Sequence, residues 1–335
     1  MNTLSRHAII KNLDFMDTPI ARRQFLRSAG TLAGLAAFPG LVRTAAAAQA
    51  ASPGESAEGL TTYQLGPQIW IRWNNRLLTC YRAHRSQKYP YMYPVAGPLT
   101  GCSLTEETSL PWPHHRSLFF GCDRVNGGNY WQEGFDQGQI LSTGPKLGKS
   151  SKTSVEILDA CDWQKPGESP VMKDQRKITV TVASEKLYFI DWEIQWTAIE
   201  KVIIPKTNHS LFALRAAMDV TPSGGGQLLN AEGLSGEKAT FGRPSAWCGF
   251  QGKRERVPGS VVEGIALFDH PGNPWPGCPW FTRDYGFISP TPFNFQENPW
   301  ELAAGKSVDL RYRVVLHAGS PKEIGLNTLF RQWSN

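Results

Sequence analysis

The chain has 335 residues, with 35 Lys and Arg against 29 Asp and Glu, and a formal net charge of +6. The first 50 residues carry +4 of that charge, so the remaining 285 residues are close to neutral. A nearly neutral chain lacks the basic surface on which nucleic acid binding depends, and we expect no nucleic acid partner.

The first 50 residues are typical of an export signal. The pair Arg22-Arg23 precedes Gln24-Phe25-Leu26-Arg27 and a weakly apolar stretch of 14 residues at positions 29–42. This arrangement resembles a twin-arginine signal, cleaved near Ala50, with the twin-arginine export machinery as partner. The alternative is an uncleaved membrane anchor, but a span needs about 20 apolar residues, and no later segment is apolar enough either. We expect a signal at residues 1–50, a single domain at 51–335, and a periplasmic protein with no membrane span.

All six cysteines follow the predicted signal, so they would lie in an oxidising compartment where disulfides persist. None forms a Cys-x-x-Cys pair, which argues against a zinc ribbon or a thioredoxin-like redox centre. Disulfide pairing and burial as small apolar side chains both stay open for each of them. They are Cys80, Cys102, Cys122, Cys161, Cys248 and Cys278.

After residue 60 the chain consists of short runs of alternating apolar and polar residues, separated by Gly, Pro, Asn and Ser, which is typical of β-strands. Residues 69–73 and 77–82 flank Asn74-Asn75 and predict a hairpin. Further strands are predicted at 117–120, 153–160, 177–183, 187–197, 211–220, 227–232, 261–268 and 308–316. Only residues 321–333 look helical, with Ser320 as N-cap and Pro321 at the first position. The pattern predicts an all-β fold, a large antiparallel β-sandwich with one C-terminal helix.

Two stretches concentrate residues suited to chemistry. The first is His114-His115-Arg116, which follows Pro-Trp-Pro and precedes an apolar run. The second runs from Asp269 to Gly286 and contains four prolines and two tryptophans, which predicts a stiff loop at a strand end. Because sites are usually built on such loops, we expect the two stretches to form one pocket.

Histidines in these stretches suit general acid–base catalysis, because imidazole titrates near neutral pH and a nearby carboxylate can tune it. Neighbouring residues on a strand point to opposite faces, so the two adjacent histidines could share a ligand only on an irregular lead-in. A divalent metal is the second alternative, although neither His-x-His nor His-Glu-x-x-His occurs, and no metal ligand is assigned. In the third, the histidines only support the loop. The catalytic candidates are His114, His115, His270, Asp269, Glu232 and Asp284.

Four tryptophans lie beside Pro, Gly and Asn in predicted loops: Trp112, Trp131, Trp275 and Trp280. Exposed Trp rings stack on sugar faces while neighbouring polar groups bond the hydroxyls, so a small carbohydrate is the expected ligand. For the arginines, ion pairing within the fold is the favoured alternative. The candidates for substrate contact are Arg116, Asn126, Trp131, Asn273, Trp280, Arg283 and Tyr285.

Five motifs follow one another: Tyr89–Pro94 with Gly97-Pro98, Pro113–Gly121, Val125–Gly127 with Tyr130-Trp131, Asp269–Pro274, and Trp280, Arg283 and Tyr285-Gly286. In these motifs the chain resembles the bacterial family labelled PmoA-like or methane oxygenase-like. That family more often has an acidic residue ahead of Pro-His-His, where this chain has Leu110-Pro111-Trp112. The resemblance implies a β-sandwich similar to the galactose mutarotase superfamily, whose members act on or bind sugars. The oxygenase label implies spanning helices, which this chain lacks after its signal.

The leading hypothesis is an exported enzyme that acts on a sugar or glycoside by His/carboxylate acid–base chemistry, as a hydrolase, lyase or epimerase. The chain has no Gly-x-Ser-x-Gly elbow, P-loop or Rossmann fingerprint, which disfavours serine hydrolases, NTPases and nucleotide-dependent dehydrogenases. A non-catalytic carbohydrate-binding module is the alternative, and a metal-dependent oxygenase is third.

Overall fold

The computed structural model describes residues 58–132, 134–255 and 257–335. The predicted export signal and the predicted domain start at residue 51 lie outside the described residues, so both stay predictions. Within the described ranges twenty strands follow one another: β1 (Leu60–Leu65), β2 (Gln68–Trp73), β3 (Arg76–Arg82), β4 (Tyr91–Val95), β5 (Leu118–Val125), β6 (Gly128–Asn129), β7 (Gln139–Ser142), β8 (Lys146–Ser150), β9 (Ser154–Gln164), β10 (Met172–Ser184), β11 (Leu187–Ala198), β12 (Val202–Ile204), β13 (Ser210–Arg215), β14 (Gln227–Asn230), β15 (Trp247–Lys253), β16 (Val262–Asp269), β17 (Trp280–Arg283), β18 (Phe287–Pro290), β19 (Trp300–Leu302) and β20 (Ser307–Ala318).

The strands form two large antiparallel sheets and one small one. The first sheet has the order β1-β2-β3-β4-β5-β13-β18-β17, and β6 pairs with β5. The second has the order β14-β15-β16-β20-β11-β10-β9-β7, and β8 pairs with β9. Strands β12 and β19 pair with each other. The prediction of a large antiparallel β-sandwich is confirmed.

Helices are few and short in the same residues. They are α1 (Glu237–Thr240), α2 (Pro292–Phe295), α3 (Pro321–Ile324) and α4 (Leu326–Ser334), with 3₁₀ turns at Met218–Val220 and Pro222–Gly224. The predicted C-terminal helix is divided at Gly325, which adopts a left-handed conformation with φ 72°. Its predicted N-cap is confirmed, since Ser320 and Glu323 form a capping box. No helix among the described residues has the length and apolar character needed to cross a bilayer.

Aromatic rings from both sheets fill the space between them. The ring of Phe120 on β5 lies 5.7 Å from Trp163 on β9 and 5.8 Å from Trp196 on β11. The ring of Trp192, on the same face of β11 as Trp196, lies 5.1 Å from that of Phe212 on β13. Alternate residues of β11 therefore face this layer, as the sequence pattern predicts, and each such ring pair adds about 0.5–1.5 kcal/mol beyond its buried area.

The opposite face of the second sheet is partly covered by α4. Phe268 of β16 lies 5.5 Å from the ring of Phe330 and 6.1 Å from that of Trp333. This cover explains why Phe189, on the face of β11 opposite to Trp192, is buried as well.

The six cysteines are all unpaired, and only Cys102 is exposed. Burial raises the pKa of the Cys80 thiol to about 11 and raises the pKa of Cys122 well above its ordinary value. Thiols with such pKa values are poor nucleophiles, so burial as small apolar side chains describes five of the six.

A charged pair lies inside the aromatic layer. Arg176 Nε and Nη2 donate to the carboxylate of Asp174 at 2.6 and 2.9 Å, and neither side chain is exposed. Trp163 Nε1 donates to the same carboxylate at 2.6 Å. The guanidinium also lies 5.9 Å from the ring of Phe120. Because bidentate hydrogen bonds satisfy most of the polar atoms, the pair can stay charged without water.

We expect Asp174→Asn to lower the free energy of unfolding by about 3–5 kcal/mol, because it leaves the Arg176 charge buried without a counter-ion. Urea unfolding measures the loss. The control is Glu193→Gln, which removes the exposed Lys177–Glu193 ion pair and costs less than about 1 kcal/mol. Equal losses in the two variants would contradict the importance given to the buried pair.

Candidate functional site

Both adjacent histidines face the same site. They lie on the irregular segment before β5, where His115 N–H donates to the Trp112 carbonyl at 3.0 Å and Ser117 has a positive φ of 57°. Because this segment is not a regular strand, the His114 and His115 rings contact each other with centroids 4.5 Å apart. The two adjacent histidines therefore lie on an irregular segment, the condition under which they could share one ligand.

A third histidine, His209, joins the pair from the neighbouring strand. Its ring lies 5.6 Å from that of His114, directly before β13. Its Nδ1 lies 3.2 Å from the carboxylate of Asp123 on β5, which also accepts a hydrogen bond from the Thr207 hydroxyl. The result is a continuous chain of groups, Asp123–His209–His114–His115, which we call the histidine cluster.

The sequence does not identify His209 and Asp123 as site residues. Neither belongs to a motif, and 86 residues separate them in the chain. They meet because β5 pairs with β13 in the register Cys122 to Ser210. The only sequence signal for His209 is that a polar residue directly precedes the apolar strand β13.

His115 is surrounded by aromatic rings and lies near the positive charge of Arg215. Its ring stacks on Phe287 at 4.1 Å and lies 6.2 Å from Tyr285. Burial, and then the nearby His114, Arg215 and His209, lower the pKa of His115 to about 2. His115 is therefore a neutral imidazole at any physiological pH, able to donate or accept a hydrogen bond but not to supply a proton as a cation.

The outer edge of the cluster is aromatic. Trp112 is 44% exposed, and its ring lies 6.1 Å from His114 and 6.3 Å from His115. Tyr285 lies under the guanidinium of Arg215 at 4.7 Å. Trp112 therefore gives the cluster an exposed aromatic ring beside two buried imidazoles.

The predicted loop from Asp269 to Gly286 divides between the two sheets. Its end, β17 and the turn to Tyr285, belongs to the first sheet and contacts His115. Its start belongs to the second sheet, where Asp269 pairs with Tyr312 and the His270 ring lies 4.9 Å from Trp333. The expectation of one pocket shared by His115 and His270 is wrong for this reason.

The carboxylate partners proposed for the histidines have other contacts. Burial raises the pKa of Asp269 to about 7, and its carboxylate accepts a hydrogen bond from Asn273 Nδ2 at 2.7 Å. Asn273 in turn bonds the backbone of Arg311, so both residues stabilise the second sheet. Glu232 is exposed in the turn after β14, and Asp284 accepts the first N–H of α1 at 2.8 Å.

Several predicted substrate contacts instead stabilise the fold. Arg116 bonds Gln87, and Arg283 pairs with Glu237 at 3.0 Å, as favoured for the arginines. Asn126 holds β12 through the Ile203 N–H at 2.8 Å.

Three of the four loop tryptophans do not suit sugar stacking. Trp131 and Trp280 are fully buried, because Trp131 packs on Phe119 and Trp280 Nε1 donates to the Ser245 carbonyl at 2.8 Å. Trp275 packs against Phe293 and Trp300. Trp112 alone of the four has a largely exposed ring.

Metal binding gains no geometric support. Within the described ranges, no group of three or more His, Cys, Asp and Glu side chains is arranged to hold an ion. In the histidine cluster, the His114 ring meets the His115 ring and the His209 ring edge to face.

Comparison with known proteins identifies a family and gives little beyond it. The model of DUF6807, described as a family of unknown function, matches residues 68–331. No curated protein matches the chain significantly. One solved structure with some likeness, provisionally named a kojibiose phosphorylase from the human microbiome, is 10% identical with a TM-score of 0.33. The likeness covers 77% of this chain and 32% of that one, so this chain spans about a third of that protein.

We expect the His115 ring signals in an NMR titration to stay at their neutral position from pH 9 down to pH 4, because a pKa near 2 keeps the imidazole unprotonated throughout. The same chain unfolded in urea serves as the reference, and the loss of the signals in His115→Asn assigns them. A midpoint near pH 6 in the folded protein would contradict the neutral state.

Proposed function

Because the chain belongs to DUF6807, a family of unknown function, we propose its function from the geometry of the histidine cluster. We propose an exported enzyme that acts on a sugar or glycoside, with the proton transfers carried out by the cluster. The match to this family supports neither the resemblance to PmoA-like proteins nor the oxygenase label.

The observation that carries the proposal is the contact between Asp123 and His209. A carboxylate next to one ring nitrogen fixes the orientation of the imidazole and leaves its other nitrogen for a substrate. The His209 side chain is 19% exposed, whereas His114 and His115 are 7% and 4% exposed as residues. We therefore assign the proton transfer to His209 and hydrogen bonding of a substrate oxygen to the neutral His115.

Trp112 supports a sugar as the substrate. Its exposed ring lies beside two imidazoles, and this combination of a flat apolar face with polar groups suits a pyranose, whose CH face is apolar and whose edge carries hydroxyls. Hydrolysis, elimination and epimerisation all include a proton transfer at a sugar oxygen or carbon, and that step is the one assigned to His209.

A non-catalytic carbohydrate-binding module is the second candidate. The low exposure of His114 and His115 favours it, because buried histidines often support a loop without meeting a substrate. The two candidates differ in whether a bound sugar is converted.

We expect His209→Asn to lower kcat about 10²- to 10⁴-fold on any sugar or glycoside that the protein converts, the usual contribution of general acid–base catalysis. A screen of glycosides, keto-glycosides and uronides with the purified protein identifies the substrate. His84→Asn is the control, because His84 is an exposed histidine that bonds Ser86 outside the cluster.

Unchanged turnover in His209→Asn would overturn the assignment of this histidine. Binding of a sugar without turnover in the unaltered protein would favour the module. Asp123→Asn adds a second measurement: a fall in kcat with little change in KM is expected if Asp123 orients His209.

Export is proposed from the first 50 residues alone. We expect Arg22→Lys with Arg23→Lys to retain the protein in the cytoplasm of a bacterial host that has a twin-arginine pathway, because that pathway requires the arginine pair. Cell fractionation measures the location, and Arg6→Lys with Arg43→Lys is the charge-matched control. Periplasmic location of the variant with Arg22→Lys and Arg23→Lys would contradict the proposed twin-arginine route.

A further inference from the structure

Arg215, the last residue of β13, has unused hydrogen-bond donors beside the histidine cluster. It is 2% exposed, and its Nη2 lies 3.4 Å from Glu106 Oε2. Its Nε and Nη1 are buried and form no hydrogen bond with any described residue. A buried guanidinium with two unpaired donors is costly for the fold, which makes it a candidate for ligand binding.

Glu106 does not remove this cost, because its carboxylate has other partners. Oε2 also accepts from the Ser109 hydroxyl, and Oε1 accepts from the Met218 N–H at 3.0 Å. The Glu106 side chain therefore stabilises the segment before the histidines and meets the Arg215 guanidinium through one long contact. By contrast, Arg176 has two bonds of 2.6 and 2.9 Å to its own carboxylate.

The position of Arg215 places its charge within the site. The guanidinium lies 4.7 Å over the ring of Tyr285, and Tyr285 stacks towards His115 at 6.2 Å. The positive charge of Arg215 also acts on the His115 imidazole. A group that binds the free donors of Arg215 would therefore lie next to His115.

We propose that Arg215 binds a carboxylate of the substrate, so that the sugar is acidic, a uronic acid or a glycoside of one. This inference rests on the function proposed above and narrows its substrate class. A single guanidinium with two available donors matches a planar group of one negative charge, whereas a phosphate dianion usually takes several cationic or N–H donors.

The first experiment compares ligands and needs no variant. Binding of D-glucuronate, D-glucuronamide, D-glucose and glucose 6-phosphate is measured by calorimetry on the unaltered protein. The first three differ only at carbon 6, so their comparison isolates the carboxylate. We expect glucuronate to bind about 10- to 100-fold more tightly than the amide or glucose, the range for a charge-assisted hydrogen bond.

The second experiment compares arginine variants. Arg215→Gln should abolish the preference for glucuronate, and Arg215→Lys, which keeps the charge, should restore part of it. The control is Arg313→Gln, because Arg313 also pairs with a carboxylate and lies over aromatic rings, but on the second sheet. It should leave the preference unchanged.

The outcomes separate this inference from the function on which it rests. Equal binding of glucose and glucuronate would overturn the proposal that Arg215 binds a substrate carboxylate. The proposed enzymatic function would still stand if the protein converts a neutral glycoside and His209→Asn abolishes that turnover. Tighter binding of glucose 6-phosphate also overturns it, in favour of phosphate. Tight glucuronate binding without turnover of any uronide supports the carboxylate contact of Arg215 and contradicts the proposed enzymatic activity. No binding of any of the four sugars overturns the inference.

Discussion

The pairing of β5 with β13 determines where most of the site residues lie. The His114-His115 pair precedes β5 and Asp123 lies near its end, while His209 precedes β13 and Arg215 ends it. Two backbone bonds fix the alignment at its ends, from the Asp123 N–H to the His209 carbonyl at 3.0 Å and from the Arg215 N–H to the Ser117 carbonyl at 2.7 Å. A shift of one residue would turn the side chains of one strand to the other face and separate Asp123 from His209. The packing of Phe120 and Phe212 in the layer between the sheets opposes such a shift.

Two buried arginines, Arg176 and Arg215, differ in how completely the protein pairs their charge. Arg176 lies between the sheets with a bidentate partner, and its pKa is held well above its ordinary value once the attraction of Asp174 outweighs the cost of burial. Arg215 has nearly the same low exposure, but its guanidinium has one long hydrogen bond to a carboxylate, from Nη2 to Glu106 Oε2 at 3.4 Å. The energy that Arg176 recovers from Asp174 is therefore not recovered by Arg215 inside the protein. The guanidinium of Arg215 thus keeps two buried donors without a hydrogen bond, whereas that of Arg176 keeps one.

The sequence predicts the fold better than the site, for a physical reason. Alternation along β11 and β20 reports local burial, and it identifies the inner faces of both strands and the sandwich class. The capping box at Ser320 is equally local. The predicted helix continues through Gly325, whereas the left-handed conformation of this glycine ends α3 there and divides the helix. The hairpin at Asn74-Asn75 is confirmed because its turn is set by adjacent residues, both with positive φ.

The site depends instead on which strands become neighbours. The sequence correctly identifies the irregular segment at His114-His115, because prolines act locally. It connects this segment to the whole loop from Asp269 to Gly286, although only the end of that loop, at Tyr285, lies beside His115, since strand order is not visible in alternation. Trp131 and Trp280 resemble exposed loop residues by composition, but both are fully buried. Trp131 packs on Phe119, and Trp280 lies on β17 of the first sheet, where its indole N–H donates to the Ser245 carbonyl.

The different surroundings of His115 and His209 suit different tasks in one site. Phe287, Tyr285 and Arg215 surround His115, so taking up a proton there would place a second positive charge in an apolar space. His209 differs in its contacts, because its Nδ1 lies 3.2 Å from the Asp123 carboxylate and its side chain is 19% exposed. His115 can polarise a substrate oxygen without changing its own charge. An acidic sugar on Arg215 would partly neutralise the positive charge next to His115, so binding of the substrate and the electrostatics of the neutral imidazole would be coupled.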